Sequence, residues 1–101
     1  DQAIALNTYL RDAYVVRGFL YVRDLPERER TREMAGNAAK DFETAMRIEA
    51  GQGGEKAETQ RGMALVHLSQ NNLGNAHDAA TKAIQLDPQD AEALRVRAQV
   101  R

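Results

Sequence analysis

Two histidines, His67 and His77, are the imidazoles that this chain could use for acid–base or metal chemistry. A zinc site needs three or four convergent Cys, His or carboxylate ligands. The chain has no cysteine, and its histidines do not stand at a His-x3-His spacing. The neighbouring pair His77–Asp78 is too common a combination to indicate a catalytic site. The sequence therefore predicts no metal site.

The glycine-rich run 51–54 is the stretch whose composition comes nearest to a phosphate-binding loop. Walker-type loops end in Gly-Lys followed by Ser or Thr, and no such pair follows Gly54. We therefore interpret the run as a hinge or turn. There is also no nucleophile elbow and no pair of carboxylates with a defined role. The sequence predicts neither an enzyme nor a cofactor within this segment.

Charge and hydropathy argue against two further classes of function. The formal net charge is −1, whereas sequence-independent nucleic-acid binding needs a basic excess. No apolar run reaches the roughly 18–20 residues that span a bilayer, so no membrane insertion is expected. We expect a soluble, processed or excised segment, since the first residue is not Met. Cytoplasmic and bacterial periplasmic locations are both compatible with it.

The stretch Gly74–Pro88 has the clearest helical pattern in the chain. Its regularly spaced small residues are Ala76, Ala80 and Ala83. Spacings of four and three place them on one face of a helix. Pro88 restricts the residue before it, so the helix should end near Leu86. A face this small lets the backbone of another helix come close.

Comparable patterns predict helices along the rest of the chain, and the fold class is all-α. The predicted helices are 11–23, 26–49, 55–70, 73–86 and 91–100, and residues 1–10 are the tail of a preceding helix. Asp24 and Asp90 are predicted helix caps. The segment Ala3–Leu6 resembles Ala83–Leu86, and Thr8 then stands at the position that Pro88 occupies in the later segment. A turn is therefore expected near Thr8.

Large and small residues recur in the same order through these helices. In the first unit they are Tyr14, Arg17, Gly18, Tyr21, Ala38, Phe42 and Ala45. In the second they are Gln60, Met63, Ala64, His67, Ala76, Ala80, Ala83 and Pro88, and a third unit starts with Ala91, Leu94, Arg97 and Ala98. The order resembles the tetratricopeptide repeat (TPR) family. Gln60, His67 and Ala80 depart from its preference for bulky residues.

The resemblance implies a right-handed α-solenoid of antiparallel helical hairpins, forming one domain over residues 1–101. Residues 11–54 would form a repeat with an extended second helix, 55–90 a repeat, and 91–101 the first helix of a further repeat. The helices would approach closest at small residues, namely Gly18, Ala64, Ala76 and Ala98. His67 would fill an aromatic packing position, and His77 would face solvent.

In TPR arrays the first helix of each hairpin lines a concave groove. The resemblance therefore assigns a groove that binds a protein or peptide partner, and the assigned residues are Asp12, Val15, Phe19, Val22, Glu58, Arg61, Leu65, Leu68, Glu92, Arg95 and Gln99. Two alternatives stay open for the apolar residues of the first unit. They are either covered, by the truncated preceding repeat or by the long second helix, or exposed as an anchor for a partner.

The resemblance implies a non-catalytic protein-interaction scaffold that binds a peptide or helix. Chaperone-docking TPR domains clamp a peptide carboxylate with Lys, Arg and Asn, but Val15, Phe19 and Gly62 stand at those places, so that subtype is not expected. One alternative is a structural module that self-associates through its end helices, at Ala3–Leu6 or Leu94–Val100. Another is an accessory domain of an enzyme whose catalytic part lies elsewhere.

Overall fold

Helices account for all the regular structure in the described part of the chain, as the all-α prediction requires. A computed structural model describes residues 2–24, 28 and 31–100, with side chains from residue 8 onward. The α-helices are α1 (Gln2–Phe19), α2 (Arg32–Ala50), α3 (Ala57–Ser69), α4 (Leu73–Leu86) and α5 (Ala91–Gln99). A π-helical segment, Leu20–Asp24, continues α1.

The first helix passes through Thr8 without a break. The turn predicted there is therefore wrong, and residues 2–10 belong to the same helix as residues 11–19. Thr8 keeps the backbone N–H that proline lacks, so the hydrogen-bond ladder of the helix can continue through it. The π-helical segment directly follows Phe19. Its wider turn ends the 3.6-residue period of the α-helix.

The second helix begins later than the sequence indicated. Thr31 is extended (φ −95°, ψ 171°), and its hydroxyl accepts a hydrogen bond from the Met34 amide at 3.2 Å. This side-chain cap starts the helix at Arg32, so the predicted start at residue 26 is wrong. Residues 25–27, 29 and 30 lie outside the described part of the chain. α2 has 19 residues and α4 has 14, so a longer second helix accounts for part of the extra length of the first unit.

The turns after α2 and α3 depend on left-handed backbone conformations. Gly53 (φ 110°) and Gly54 (φ 113°) form the predicted turn after α2, and the Gly54 amide donates to the Glu49 carbonyl at 2.9 Å. Asn71 (φ 58°) ends α3 within the predicted break at residues 70–72. Glycine and asparagine are the residues that adopt these angles most readily.

The fourth and fifth helices end and begin where the sequence predicts. α4 stops at Leu86, before an extended Asp87 and Pro88. Asp90 caps α5, since its carboxylate accepts from the Ala93 amide at 3.0 Å. The small residues of α4 are fully buried, which confirms them as a packing seam; they are Ala76, Ala80 and Ala83.

The core is centred on Phe42, which is completely buried. Its ring meets Phe19 edge to face, with the centroids 5.1 Å apart and the planes at 75°. A Cβ built on Gly18 would lie 2.7 Å from this ring, and one on Gly62 only 2.4 Å. Helices α1 and α3 can therefore press their backbones against α2 only because both positions lack a side chain.

The other predicted points of close approach have mixed outcomes. Ala64 and Ala76 are completely buried, as expected for a seam between helices. Ala98 is exposed, so its predicted role in packing is wrong in this structure. No helix follows α5 among the residues that the structure describes.

Replacing Gly62 by Ala should destabilise the protein, because the added methyl group collides with a buried ring that cannot move aside. We expect a loss of about 1–3 kcal/mol in the free energy of unfolding, and a comparable or larger loss for Gly18→Leu. Denaturant unfolding with circular dichroism measures both.

The matched control is Gly36→Ala in α2, where a Cβ would meet nothing within 4 Å. Removing a glycine from an open helix position should raise stability by about 0.5–1 kcal/mol. Equal effects at positions 36 and 62 would contradict the packing seen around Phe42.

Candidate functional site

A cleft of about 450 Å³ lies between α1, the π-helical segment and α3. It contains five of the eleven predicted groove residues, namely Asp12, Val15, Phe19, Glu58 and Arg61. Val16, Arg23 and Asp24 complete its lining. We call it the α1–α3 cleft. The structure therefore brings five of the eight predicted residues of the first two units together on one surface.

The apolar residues predicted as an exposed anchor are buried. Val15, Phe19 and Val22 are only 3%, 5% and 6% exposed. Of the two open alternatives, the structure therefore shows the covered one, and the anchor interpretation is wrong for these side chains. Phe42 covers the Phe19 ring from α2, as described above.

Two arginines cover the same ring on its cleft side. The guanidinium of Arg23 lies 4.4 Å from the centroid of Phe19, and that of Arg61 lies 5.4 Å away. Both contacts are within the range of cation–π interactions. The floor of the α1–α3 cleft is therefore an aromatic ring under two guanidinium groups rather than open apolar surface.

Ion pairs tie these arginines to α5. Glu92 Oε1 lies 2.6 Å from an Arg23 nitrogen and 3.3 Å from Arg61 Nε. Arg61 also pairs at 3.1 Å with Asp90, the buried cap of α5. One carboxylate of α5 is thus shared by arginines from two other elements. Glu92, a predicted groove residue, acts here as an internal partner rather than as an exposed contact.

A second network centres on the buried Glu49, which is 1% exposed. Its carboxylate accepts from Arg11 at 2.8 Å, from the Lys56 amide at 3.2 Å, and from the Thr59 hydroxyl. Burial lowers the pKa of Arg11, but its hydrogen bonds to Glu49 and Asp12 outweigh this effect and raise the pKa overall. This network links α1, α2 and α3. It lies at that end of the α1–α3 cleft where Asp12 and Glu58 are found.

Neutralising Glu49 should destabilise the fold, because the largely buried Arg11 guanidinium then loses the one buried carboxylate among its three partners. For Glu49→Gln we expect a loss of about 2–4 kcal/mol in the free energy of unfolding. The control is Glu43→Gln on the exposed side of the same helix, which should change stability by less than about 0.5 kcal/mol. A loss for Glu49→Gln no larger than the control's would show that the network contributes little.

Three further predicted residues, Val22, Leu65 and Leu68, line a different cleft of about 570 Å³. Its other walls come from Tyr21, from the start of α2, and from the residues that end α3. Val22 is buried there, whereas the two leucines are half-buried. The predicted groove is therefore divided into two clefts, separated by the π-helical segment that contributes residues to both.

The last two predicted residues, Arg95 and Gln99, are exposed and line neither cleft. They lie on α5, whose outer side also leaves Leu94 39% exposed. This end of the chain is one of the two proposed for self-association. The side chains of the other, Ala3–Leu6, lie outside those that the structure describes.

The π-helical segment explains why sequence reasoning missed Arg23 and Asp24. Helical periodicity assigns faces by a 3.6-residue repeat, and a π turn shifts the register. Val16 was missed for another reason, since it directly follows the buried Val15 yet is 69% exposed. Val16 belongs to an apolar face of α1 that points away from the core and borders the cleft. The spacing of residues 9, 13, 16 and 20 in the sequence already indicates this face.

The two histidines occupy different surroundings. The side chain of His77 is 45% exposed and lies 3.8 Å from the Asp78 carboxylate. His67 is half-buried, its Nδ1 is buried without a hydrogen-bond partner, and burial lowers its pKa below the ordinary 6.5. His67 is therefore a packing residue that favours the neutral form.

Stability should fall as the pH drops below about 6.5, because the unfolded chain then binds a proton at residue 67 more readily than the folded chain does. His67→Gln removes this contribution. We expect the variant to lose less stability than the wild type between pH 7.5 and pH 5.5, with a difference of at most about 1.4 kcal/mol per pH unit. Identical pH profiles from urea unfolding would contradict the lowered pKa.

No family model, curated protein or solved structure matches the chain. Among the described residues, no group of three or more His, Cys, Asp or Glu side chains is arranged to hold a metal ion. None of the described helices combines the length and apolar character needed to cross a membrane.

Proposed function

We propose that this chain is a non-catalytic protein-interaction scaffold that binds a peptide or helix of another protein at the α1–α3 cleft. The observation that carries the proposal is the assembly of Asp12, Glu58 and Arg61 from two helices around one concave surface. Interfaces with a polypeptide have an apolar centre and a polar rim, and the exposed Val16 supplies apolar surface beside these charged side chains.

We propose further that the helices form a TPR-like right-handed solenoid of antiparallel hairpins. Contacts between consecutive helices support this arrangement, as do contacts of α3 with both α1 and α5. The molecule measures only 18 Å along its shortest axis. This is close to the thickness of two layers of helices whose axes lie 8–10 Å apart. Stacked hairpins would present α1, α3 and α5 on one side, which is the side of the cleft.

Selection from a display library of random peptides tests the function without assuming a partner. We expect selected peptides to bind the wild type and to lose at least about fivefold in affinity for Val16→Ser, because that exposed side chain lines the cleft. The matched control is Leu86→Ser, which removes another exposed apolar side chain at the end of α4, 46% accessible against 69% for Val16.

The proposal fails if no selected peptide distinguishes these two variants. Sedimentation velocity on the same samples tests the second candidate, self-association through Leu94–Val100. A concentration-independent monomer would eliminate that candidate and leave the peptide-binding function intact.

A further inference from the structure

An apolar stripe runs along the face of α1 that points away from the core. Tyr9 is 70% exposed, Val16 69% and Leu20 43%, and the exposed Ala13 lies between the first two. Their spacings of four, three and four residues place them in one line along the helix. This spacing is the one by which one helix packs against another. We call this surface the α1 stripe.

The side of the stripe that borders the α1–α3 cleft is acidic. The exposed carboxylates there are Asp12, Asp24 and Glu58, with side chains 58%, 52% and 46% accessible. Val16 belongs both to the stripe and to the cleft, so the apolar and acidic surfaces are continuous. A partner lying on the stripe would therefore meet this acidic edge.

The arginines around the cleft do not neutralise its acidic edge. Arg11, Arg23 and Arg61 form ion pairs with six carboxylates, those of Asp12, Asp24, Glu49, Glu58, Asp90 and Glu92. Three formal negative charges are therefore in excess within this group. The least accessible carboxylates, those of Glu49, Asp90 and Glu92, hold the arginines in place. The most accessible ones, those of Asp12, Asp24 and Glu58, face solvent.

On the opposite side of the stripe, the charged side chain of α1 that the structure describes is that of Arg17. Arg17 lies there and donates two hydrogen bonds of 2.8 Å to the buried Asp41. That hydrogen bonding raises the pKa of Arg17, and the pair is neutral as a unit. The charge that a partner meets along α1 is therefore set mainly by the acidic edge.

We propose that the α1 stripe and its acidic edge bind a cationic amphipathic helix of another protein. Apolar residues of that helix would lie on Tyr9, Val16 and Leu20. Its Lys or Arg side chains would extend over the apolar surface to reach Asp12, Asp24 and Glu58. The inference rests on the proposed function and adds to it the chemical class of the partner.

A second copy of this chain fits the surface less well. A twofold interface brings the same patch of both copies together. In an antiparallel pair of α1 helices the acidic edge of one copy would lie along the acidic edge of the other, and like charges repel. In a parallel pair it would face the Arg17 edge, whose guanidinium is already paired with Asp41. A cationic partner has the opposite effect, because it supplies the charge that the edge lacks.

Two synthetic peptides of about 18 residues, long enough to cover the stripe, test the charge of the partner. Both carry Leu at the a and d positions of a heptad repeat, with Lys elsewhere in one and Glu elsewhere in the other. Fluorescence anisotropy should show the Lys peptide binding at least about tenfold more tightly than the Glu peptide. Raising the NaCl concentration from about 0.05 M to 0.3 M should weaken the Lys complex.

Variants of the protein locate the binding. Asp12→Asn with Glu58→Gln should weaken the Lys peptide about fivefold, and Val16→Ser should weaken it by a similar factor. The control, Glu43→Gln with Asp78→Asn, removes the same number of charges from exposed positions elsewhere and should stay within about twofold of the wild type. Thermal unfolding of each variant checks its fold, and the comparison of the two peptides needs no variant.

Four results would overturn the inference, and they separate it from the proposed function. Equal binding of both peptides, sensitive to Val16→Ser, would refute the cationic partner but retain the binding site. Equal weakening by both pairs of charge substitutions would show non-specific attraction. A dimer that Val16→Ser dissociates would identify a second copy as the occupant. Failure of both peptides and of the display selection would remove the proposed function as well.

Discussion

The structure depends on the contact between the Phe42 ring and the backbones of two other helices. Gly18 of α1 and Gly62 of α3 both lie against this ring, at distances that leave no room for a side chain. The ring thus fixes how closely three helices approach. It also determines the floor of the α1–α3 cleft, because Phe19 directly follows Gly18 and Arg61 directly precedes Gly62. Two glycines and one aromatic ring thereby position the aromatic and cationic parts of the site.

Local signals in the sequence predicted the second half of the chain better than the first. Pro88 and the Asp90 cap are recognisable without a tertiary structure. Pro88 sets where α4 ends, and Asp90 sets where α5 begins. The turn at Thr8 was wrong because it rested on alignment with Pro88 rather than on a residue that breaks a helix. Gly62 was overlooked as a packing position, although a glycine inside a helix costs about 1 kcal/mol relative to alanine and therefore needs a structural reason.

The site was predictable as a surface but not as an arrangement of charges. Five predicted residues do line one cleft, because the helical period places them on one side of α1 and α3. The burial of Phe19 depends on Phe42 from another helix, and no pattern within α1 reveals it. Likewise, Arg23 and Glu92 are 69 residues apart in sequence, so their ion pair follows from the fold alone.

The local charge at the cleft follows from the ion pairs that its arginines form within the protein. The chain as a whole is nearly neutral, with a formal net charge of −1, which by itself indicates no preference for a charged partner. Arg61 and Arg23 are held over the Phe19 ring by Glu92, so they stabilise the contact of α5 with the rest of the molecule. The carboxylates that remain accessible, Asp12 and Glu58, then give the cleft its sign. The same ion pairs that hold the helices together therefore make the surface beside α1 acidic.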